Sequence, residues 1–271
     1  MEKLPFIQEV GESTTDGKLA TLITPSKATV TIREQNGSDD DVISAVSQKD
    51  ESTPFNNFIA GIIVDQNFDF VSMKGPITVK QVLDMPLRDK YFILMASRAF
   101  SISPILKFQW DWKDGRPPVS YEEDLTQYLP NFSKEDLPKP GEPGYFKYRV
   151  EPYESTGVYY EFDLISGKRV RYKMLDGHGE NYILKLPENQ ANINTQLRAR
   201  FIELFFKNSQ EWIKVEDFKV FSTRDMAEIR AHVEKYDKSF DGLTDIQNPY
   251  TKATLTIPLL SIPDFFFPRQ I

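Results

Sequence analysis

The chain has 271 residues, of which 40% are hydrophobic and 27% charged, a composition typical of a globular protein with one large or two small domains. Its formal net charge of −7 argues against a nonspecific nucleic-acid binder, and the lack of cysteine excludes disulfides, thiol nucleophiles and thiolate metal sites. No apolar run reaches the roughly eighteen residues of a membrane span, and no signal peptide begins the chain, so we predict a protein made in the cytoplasm without membrane insertion.

The first part of the chain predicts an arm, one short strand and a group of helices. Residues 1–27 are punctuated by Gly, Ser, Thr and Pro, and we predict an N-terminal arm that becomes ordered against a partner. Residues 28–33 alternate as a strand, and Ser38 is predicted to cap the helix that follows. A second helix is predicted over 55–63, and Thr78 is predicted to cap a third.

A longer helix is predicted after Asp84-Met85-Pro86, because proline is tolerated in a first helical turn. From Leu87 to Ala99, apolar residues occupy much of its circumference. A helix that is apolar on this much of its surface is predicted to lie at the centre of the fold.

A hairpin rich in tryptophan is predicted next. Leu106, Phe108 and Trp110 alternate with polar residues, the period of a half-buried strand, and Asp114-Gly115 predicts a tight turn. The residues leave open whether Trp110 and Trp112 form a ligand platform, a partner surface or part of the core. We interpret them as core residues.

The second half predicts another hairpin, then helices and a tail. A Pro-rich passage at Leu137–Gly144 is the predicted boundary between a domain at 28–136 and a region at 145–271, unless the two form one continuous domain. The later elements are a hairpin around Ser166-Gly167, helices over 192–206 and from Thr223, and an extended tail at 253–271. The predicted fold is α+β, with an N-terminal helical cluster, central β-hairpins, C-terminal helices and an extended C-terminal tail.

Residues that could carry chemistry are few. His178 in DGHGE could serve as a metal ligand or general base with Asp176 or Glu180, but we interpret the stretch as a solvated turn. His232 is interpreted as a residue at the edge of the core, and the acids at 122–124 as a solvated face rather than a hydrolytic carboxylate pair. We therefore predict no catalytic, metal-binding or cofactor-binding residues.

The aromatic C-terminus predicts a partner-binding surface. Phe265, Phe266 and Phe267 are consecutive and precede Pro268, and in an extended segment alternate side chains point in opposite directions. One or two of them should then contact a second surface, which a partner chain would supply. We predict that these four residues, together with Phe6 in the arm, bind a partner; the alternative is a tail buried within its own domain.

The order of these segments resembles a known family. A TIRE strand is followed by SDDDVIS, FNNFIAGII and ITVKQVLDMPLRDKYFILMASRAFS, and then by a hairpin that ends in EEDL. This order resembles the T-even-type bacteriophage baseplate hub subunit family of contractile-tailed phages, most specifically over Val82–Ser101. The hairpin YYEFDLISGKRVRYKML also matches the family pattern. Many members carry C-x-x-C knuckles where this chain has Trp110–Gly115, so the tryptophans would stabilise the hairpin in place of a metal.

The resemblance implies a structural, non-enzymatic subunit of a phage tail baseplate hub. Its partners would be other baseplate, hub and tail proteins, and it would be located in the virion after synthesis in the host cytoplasm. One alternative is an assembly chaperone that is absent from the mature virion. Another is a cell-wall-degrading hub enzyme that uses Glu122 or Asp124.

Overall fold

A computed structural model of the protein describes residues 7–13, 17–26, 28–45, 52–68, 71, 74–129, 146–149, 157–187, 192–237 and 242–268. Phe6 and the predicted boundary at 137–144 lie outside the described residues. The described part contains eight α-helices and four antiparallel sheets, which confirms the predicted mixed α+β class.

The sheets are small and built from sequence neighbours. The strands are β1 (Ile7–Ser13), β2 (Gly17–Ile23), β3 (Thr29–Arg33), β4 (Ile63–Gln66), β5 (Ile105–Trp110), β6 (Val119–Asp124), β7 (Phe146–Arg149), β8 (Gly157–Asp163), β9 (Arg169–Lys173), β10 (Glu203–Phe206), β11 (Glu211–Lys214), β12 (Leu243–Gln247) and β13 (Thr254–Pro258). They form sheets with the strand orders β1-β2-β3-β4, β5-β6, β11-β10-β9-β8-β7 and β12-β13.

The helices lie mainly between these sheets in the sequence. They are α1 (Gly37–Ser44), α2 (Ser52–Ile62), α3 (Val79–Asp84), α4 (Leu87–Ser101), α5 (Gly177–Lys185), α6 (Thr195–Arg198), α7 (Thr223–Tyr236) and α8 (Pro263–Phe266). Helix α4 is largely buried, as its pattern predicted, and its buried residues include Asp89, Lys90 and Arg98.

The N-terminal segment is part of a sheet rather than an arm. Strands β1 and β2 pair with each other, and β2 also pairs with β3. Ala20 and Leu22 are buried in β2, and Thr21 hydrogen-bonds Thr31 across the pair at 3.1 Å. The prediction of an arm over residues 1–27 is wrong for 7–13 and 17–26, because the alternation of GKLATLI defines a half-buried strand.

The described residues form two large apolar cores and a small cluster of Leu87, Leu175 and Ala199, and the C-terminal segment 242–268 belongs to the first core. The first core contains buried residues between Ala20 and Leu129 and again between Ile246 and Phe266. The second core contains buried residues between Tyr160 and Ile229. The C-terminal segment 242–268 therefore returns to the N-terminal half, and its predicted grouping within 145–271 is corrected accordingly.

The caps of the helices agree only in part with the predictions. Thr78 caps α3 as predicted, with a capping box completed by Gln81. Helix α1 is capped by Asn36 rather than Ser38, and α7 is capped by Ser222, one residue before the predicted Thr223. In each case the side chain accepts a hydrogen bond from a backbone N–H of the first turn.

The tryptophan hairpin has the predicted alternation. In β5, Leu106 and Phe108 are buried, whereas the polar residues between them are exposed. Trp110 and Trp112 are half-buried and pack against the first core, and Trp112 Nε1 donates to the Tyr121 hydroxyl at 2.8 Å. Both side chains therefore lie at the margin of the first core.

The helix predicted over 192–206 is wrong for most of its length. Helix α6 ends at Arg198, Phe201 has a φ of 49°, and residues 203–206 form strand β10. Strand β10 pairs with both β9 and β11, so tertiary pairing overrides the helical spacing of the apolar residues.

Candidate functional site

The DGHGE stretch is the start of a helix, not a solvated turn. Asp176 is the N-cap of α5, and its Oδ1 accepts a hydrogen bond from the Gly179 N–H at 2.9 Å. Asp176 is buried, and it also forms an isolated β-bridge with Pro86, just before α4. The stretch therefore joins the second core to the first.

The three side chains that sequence reasoning grouped here point to different partners. His178 Nε2 lies 3.0 Å from Asp84 Oδ1, and Asp176 pairs with Lys173. Glu180 accepts hydrogen bonds from Lys90 Nζ at 2.6 Å and from the Tyr91 hydroxyl at 3.0 Å. Across the described residues, no three His, Cys, Asp or Glu side chains form a group that could hold a metal.

The glycines of this stretch permit a close approach between elements, which leads to a first prediction. A Cβ at Gly179 would lie 2.6 Å from Leu175 Cδ1 and 2.7 Å from the Ala199 carbonyl oxygen. We expect Gly179→Ala to lower the free energy of unfolding, measured by urea unfolding, by about 1–3 kcal/mol. The reason is that the Ala199 backbone would have to move to make room for the added methyl group. Gly37→Ala is the control: a Cβ there meets nothing within 4 Å, and we expect no loss. Equal stability of the two variants would contradict the close packing.

Buried charged residues also fix elements within each half of the chain. Arg200 Nε lies 2.7 Å from Asp237 Oδ2, and both side chains are buried. Asp237 also accepts from the Leu175 N–H at 3.1 Å, and Asp89 in α4 accepts from the Ser26 N–H at 2.9 Å. Burial raises the pKa of both Asp89 and Asp237, against the opposing effect of their arginine neighbours. These charged groups are engaged in holding elements together.

His232 lies in an aromatic setting at the edge of the second core, as predicted. Its ring stacks on Phe162 with centroids 3.8 Å apart, and its Nδ1 lies 3.0 Å from the Tyr172 hydroxyl. Its Nε2 is buried and has no hydrogen-bond partner within the described part of the chain. Burial, with a smaller contribution from Lys235, lowers the pKa of His232 to about 4.

This environment predicts a pH dependence of stability. In the unfolded chain, His232 becomes protonated near pH 6.5, whereas in the folded chain it stays neutral down to about pH 4. Between these pH values the unfolded state binds one more proton than the folded state, so the free energy of unfolding falls as the pH is lowered. Because the ring is partly exposed, we expect a loss of about 1–2 kcal/mol between pH 7 and 4.5. Urea unfolding of His232→Phe should lack this loss, whereas His178→Asn should retain it. An identical pH profile for wild type and His232→Phe would contradict the assignment.

The acids beside the tryptophan hairpin have different neighbours. Glu122 is exposed, 3.9 Å from Lys107 Nζ. Glu123 accepts a hydrogen bond from the Thr244 hydroxyl at 2.8 Å. Asp124 caps the short 3-10 turn that follows. Alternation along β6 places Glu123 on the inner face and Glu122 and Asp124 on the exposed face, and each of the three has a different neighbour.

The C-terminal aromatic residues form a short helix instead of an extended tail. Phe265 and Phe266 lie in α8 and are buried in the first core. Phe266 stacks on Phe55 of α2 with ring centroids 5.2 Å apart. The assignment of Phe265 and Phe266 to a partner surface is therefore corrected, and the alternative of a tail packed on its own domain describes them.

Two further features favour helix α8 in this position. Pro263 occupies the first helical turn, where its missing N–H has no intrahelical partner. Arg98 of α4 lies 6.0 Å from the Phe265 ring centroid. Burial lowers the pKa of Arg98 to about 10, and the nearby Asp264 carboxylate opposes this shift.

A groove remains beside the last two predicted partner-binding residues. It has a volume of about 460 Å³. We call it the C-terminal groove; it is lined by Gln35, Asn36, Gly37, Asp40, Ser101, Ile102, Phe266, Phe267 and Pro268. Phe267 is 38% exposed. Both Phe267 and Pro268 line this groove, and partner binding by them stays a prediction. The predicted role of Phe6 is untested, because this residue lies outside the described residues.

The wall that α1 contributes to the groove is acidic. Asp39 is buried and forms a two-point ion pair with Arg33, with both N–O distances at 2.7 Å. Asp40 and Asp41 are exposed, and Asp40 is the one charged side chain among the described residues that line the groove. The groove therefore places the Asp40 carboxylate beside Phe266, Phe267 and Ile102.

Sequence reasoning missed the other lining residues. The segment 35–37 meets the end of α4 because the Gln35 N–H donates to the Ser101 hydroxyl at 2.9 Å, and the Gln35 side-chain amide donates to the Ser97 hydroxyl at 3.0 Å. No local pattern marks contacts between segments more than sixty residues apart.

Comparison with protein-family models, with curated proteins and with solved structures found no match to this chain. The resemblance to the baseplate hub family thus remains a prediction from the quoted segments. Among the helices of the described residues, none combines the length and the apolar character needed to cross a membrane.

Proposed function

We propose that this protein is a structural, non-enzymatic subunit of a phage tail baseplate hub and acts by binding neighbouring hub, baseplate and tail proteins. The observation that carries the proposal is the C-terminal groove, which presents Phe267 and Pro268 beside Asp40 on the surface of the first core. Exposed apolar surface rimmed by polar groups is typical of a protein-binding site. The segment resemblance supplies the kind of assembly.

The arrangement of the charged residues also supports a binding role. The ion pair between Lys90 and Glu180 links α4 to α5, and the residues that suggested catalysis, Asp176, His178 and Glu180, each have a separate structural partner. A body held in this way keeps its surface features in fixed positions, as a subunit of a large assembly requires. For the alternative of a cell-wall-degrading enzyme, Glu122 is exposed near Lys107 and Asp124 caps a 3-10 turn, neither of which favours a catalytic role over a structural one.

Exposed apolar side chains are the second line of support. Twelve large hydrophobic residues of the described part are exposed, and most are scattered singly, which needs no explanation. They are Val79, Ile165, Tyr182, Leu184, Ile193, Phe206, Ile213, Val220, Leu243, Tyr250, Leu255 and Phe267. Phe267 is the one among them that lines the C-terminal groove.

Quantitative mass spectrometry of purified phage particles tests the proposal. We expect this chain at a fixed ratio to a known tail component, with the ratio unchanged after a salt wash that removes adsorbed proteins. Abundance in infected cells with absence from particles would replace the proposal by the alternative of an assembly chaperone. Absence from both would overturn the phage-tail assignment.

A further inference from the structure

We propose that two copies of this chain associate through strand β11, which pairs antiparallel with its own copy across a two-fold axis. Strand β11 lies at one edge of the five-stranded sheet that contributes to the second core. The contact uses none of the residues that line the C-terminal groove. It adds a self-contact to the proposed binding role and does not depend on a phage origin.

Within the described residues, β11 has one paired edge and one open edge. It is the last strand in the order β11-β10-β9-β8-β7 and pairs with β10 alone. The Val215 N–H donates to the Ile202 carbonyl oxygen at 2.8 Å, so Val215 and Ile213, two residues earlier, direct their backbone groups towards β10. Residues that alternate with these direct their backbone groups the other way. The N–H and C=O groups of Trp212 and Lys214 therefore point away from β10.

Two exposed apolar side chains lie on one face of the sheet at this edge. The register pairs Leu204 with Ile213 and Phe206 with Glu211, and side chains directly opposite each other share a face. Phe206 and Ile213 are therefore diagonal neighbours, on the face from which Leu204 packs against the second core. Their exposed fractions are 44% and 47%. A strand added at the open edge would cover Ile213.

Symmetry limits the ways in which β11 can pair with its own copy. Cross-strand neighbours must share a face, so a two-fold axis perpendicular to the sheet leaves one residue opposite its own copy. With Lys214 at the axis, two cations would lie directly opposite each other, which is unfavourable. With Trp212 at the axis, Lys214 would pair with Gln210, which has a φ of 56° and lies outside the strand. Ile213 is the remaining centre.

An axis at Ile213 satisfies the outward backbone groups. Trp212 then lies opposite Lys214 of the second copy, and the reverse pair forms on the other side of the axis. Each outward N–H thus meets an outward C=O, as in any antiparallel ladder. Ile213 packs against Ile213 of the second copy, and the apolar surface that Phe206 and Ile213 expose becomes continuous across the two strands. These two features identify the occupant of the edge as a second copy of the chain.

The charges at the edge are compatible with this register. Lys214 lies opposite Trp212 and Glu211 lies opposite Val215, so no two like charges are directly opposite. The two Lys214 side chains are diagonal neighbours, but each Nζ lies 2.9 Å from Glu216 Oε1 of its own chain. Other charged residues of this face form ion pairs within the sheet, Arg171 with Glu203 and Arg169 with Glu161.

The assembly closes as a dimer, because both copies contribute the same residues to the contact. The strand is short, and interfaces below about 1,000 Å² are weak or transient. We therefore expect the dimer to become prominent at roughly 100 μM protein. Backbone pairing and apolar contact carry the association, so we expect salt to weaken it little.

Disulfide cross-linking tests the edge and the register together, because the chain has no cysteine of its own. Ile213→Cys places each thiol beside its own copy, in a non-hydrogen-bonded pair with Cα atoms about 4.5 Å apart, which a disulfide can join. The control is Ile193→Cys, at an isoleucine that is 75% exposed and outside β11. Under mild oxidation we expect the linked dimer of Ile213→Cys to form at least about tenfold faster, because pairing raises the local thiol concentration. Equal rates would overturn the inference.

A proline at position 214 separates backbone pairing from side-chain contact. Lys214→Pro removes an outward N–H, whereas the hydrogen bonds from β11 to β10 remain. Combined with Ile213→Cys, it should lower the cross-linking rate to that of Ile193→Cys. Lys214→Ala is the matched control, because it keeps the N–H and should leave the rate unchanged. A rate unaffected by Lys214→Pro, or lowered equally by Lys214→Ala, would contradict pairing through the backbone.

Sedimentation velocity gives an independent test that does not need Lys214→Pro to fold. Ile213→Lys and Ile213→Glu each place like charges opposite each other at the axis, so we expect monomers at concentrations where the wild-type protein dimerises. An equimolar mixture should dimerise again, because the introduced charges are then opposite in sign. Circular dichroism and urea unfolding verify that each variant is folded. A monomeric wild type at several hundred micromolar, or a mixture that stays monomeric, would overturn the inference and leave the edge for a strand of another protein.

Discussion

Replacing Phe265 by alanine is expected to lower the free energy of unfolding by about 3–5 kcal/mol. The ring is buried between elements of the first core and packs edge-on to Phe266, with centroids 4.7 Å apart. Its removal leaves a cavity in the first core, because Phe265 is fully buried. Urea unfolding followed by tryptophan fluorescence measures the change.

The neighbouring Phe267→Ala is the matched control for this prediction. It removes the same atoms from a side chain two residues along, but Phe267 is exposed in the C-terminal groove. We expect a smaller loss, of about 1 kcal/mol, because Phe267 is 38% exposed whereas Phe265 is fully buried. Similar losses for the two variants would show that the tail does not dock through Phe265.

Removing one member of the buried ion pair between Arg200 and Asp237 is the second large effect. Asp237→Ala leaves the Arg200 guanidinium buried without its carboxylate and the Leu175 N–H without its acceptor. We expect a loss of about 3–5 kcal/mol in the free energy of unfolding, because an uncompensated buried charge is costly.

Two further variants make this prediction specific. Glu122→Ala removes an exposed partner of Lys107, and we expect a change within about 0.5 kcal/mol. The double variant Arg200→Leu with Asp237→Leu removes both charges and should be less destabilised than Asp237→Ala alone. A double variant as unstable as the single one would assign the effect to lost packing instead of an unpaired charge.

Local patterns were sufficient for the elements that interact with their own neighbours in the sequence. The alternation in β5 predicted which side chains are buried, and the Ser166-Gly167 turn between β8 and β9 has a glycine φ of 80°, as a tight turn requires. Helix α4 was predicted from its apolar circumference. In each case, one continuous segment contains all the residues on which the prediction depends.

The C-terminal tail was mispredicted because its environment comes from distant segments. Three consecutive phenylalanines suggested an extended chain with two faces, yet Phe265 and Phe266 are enclosed by α2 and α4. Both helices precede them by more than 150 residues in the chain. Phe266, Phe267 and the following Pro268 line the groove, and of the three phenylalanines only Phe267 is exposed.

The contacts between the two cores were likewise not predictable from local sequence patterns. Arg88 donates to the Tyr236 carbonyl oxygen at 3.3 Å, and Lys90 pairs with Glu180, so neighbours in one helix contact residues far apart in the sequence. The glycines of DGHGE suggested a loop, whereas Gly177 permits close packing against Leu83, and Gly179 against Leu175 and Ala199. Glycine alone does not distinguish the two roles.

The segment most specific to the family resemblance consists largely of structural residues. Within Val82–Ser101, Asp89 accepts from the Ser26 N–H, Ser97 accepts from the Gln35 side chain, and Arg98 donates to the Ser103 carbonyl oxygen. These contacts connect α4 to the N-terminal sheet and to the groove wall. A similar pattern in another chain would therefore indicate a similar scaffold, and the binding surfaces have to be tested separately.

Site-specific photo-cross-linking at position 267 tests the central claim, that the C-terminal groove is a protein-binding surface in the assembled particle. Benzoyl-phenylalanine replaces Phe267 in one strain and Ile193 in a control strain, and intact particles that contain the chain are irradiated. We expect a cross-linked product, larger than the 31.4 kDa chain, from position 267 and none from position 193. No product from position 267, in particles that contain the variant, would contradict the claim.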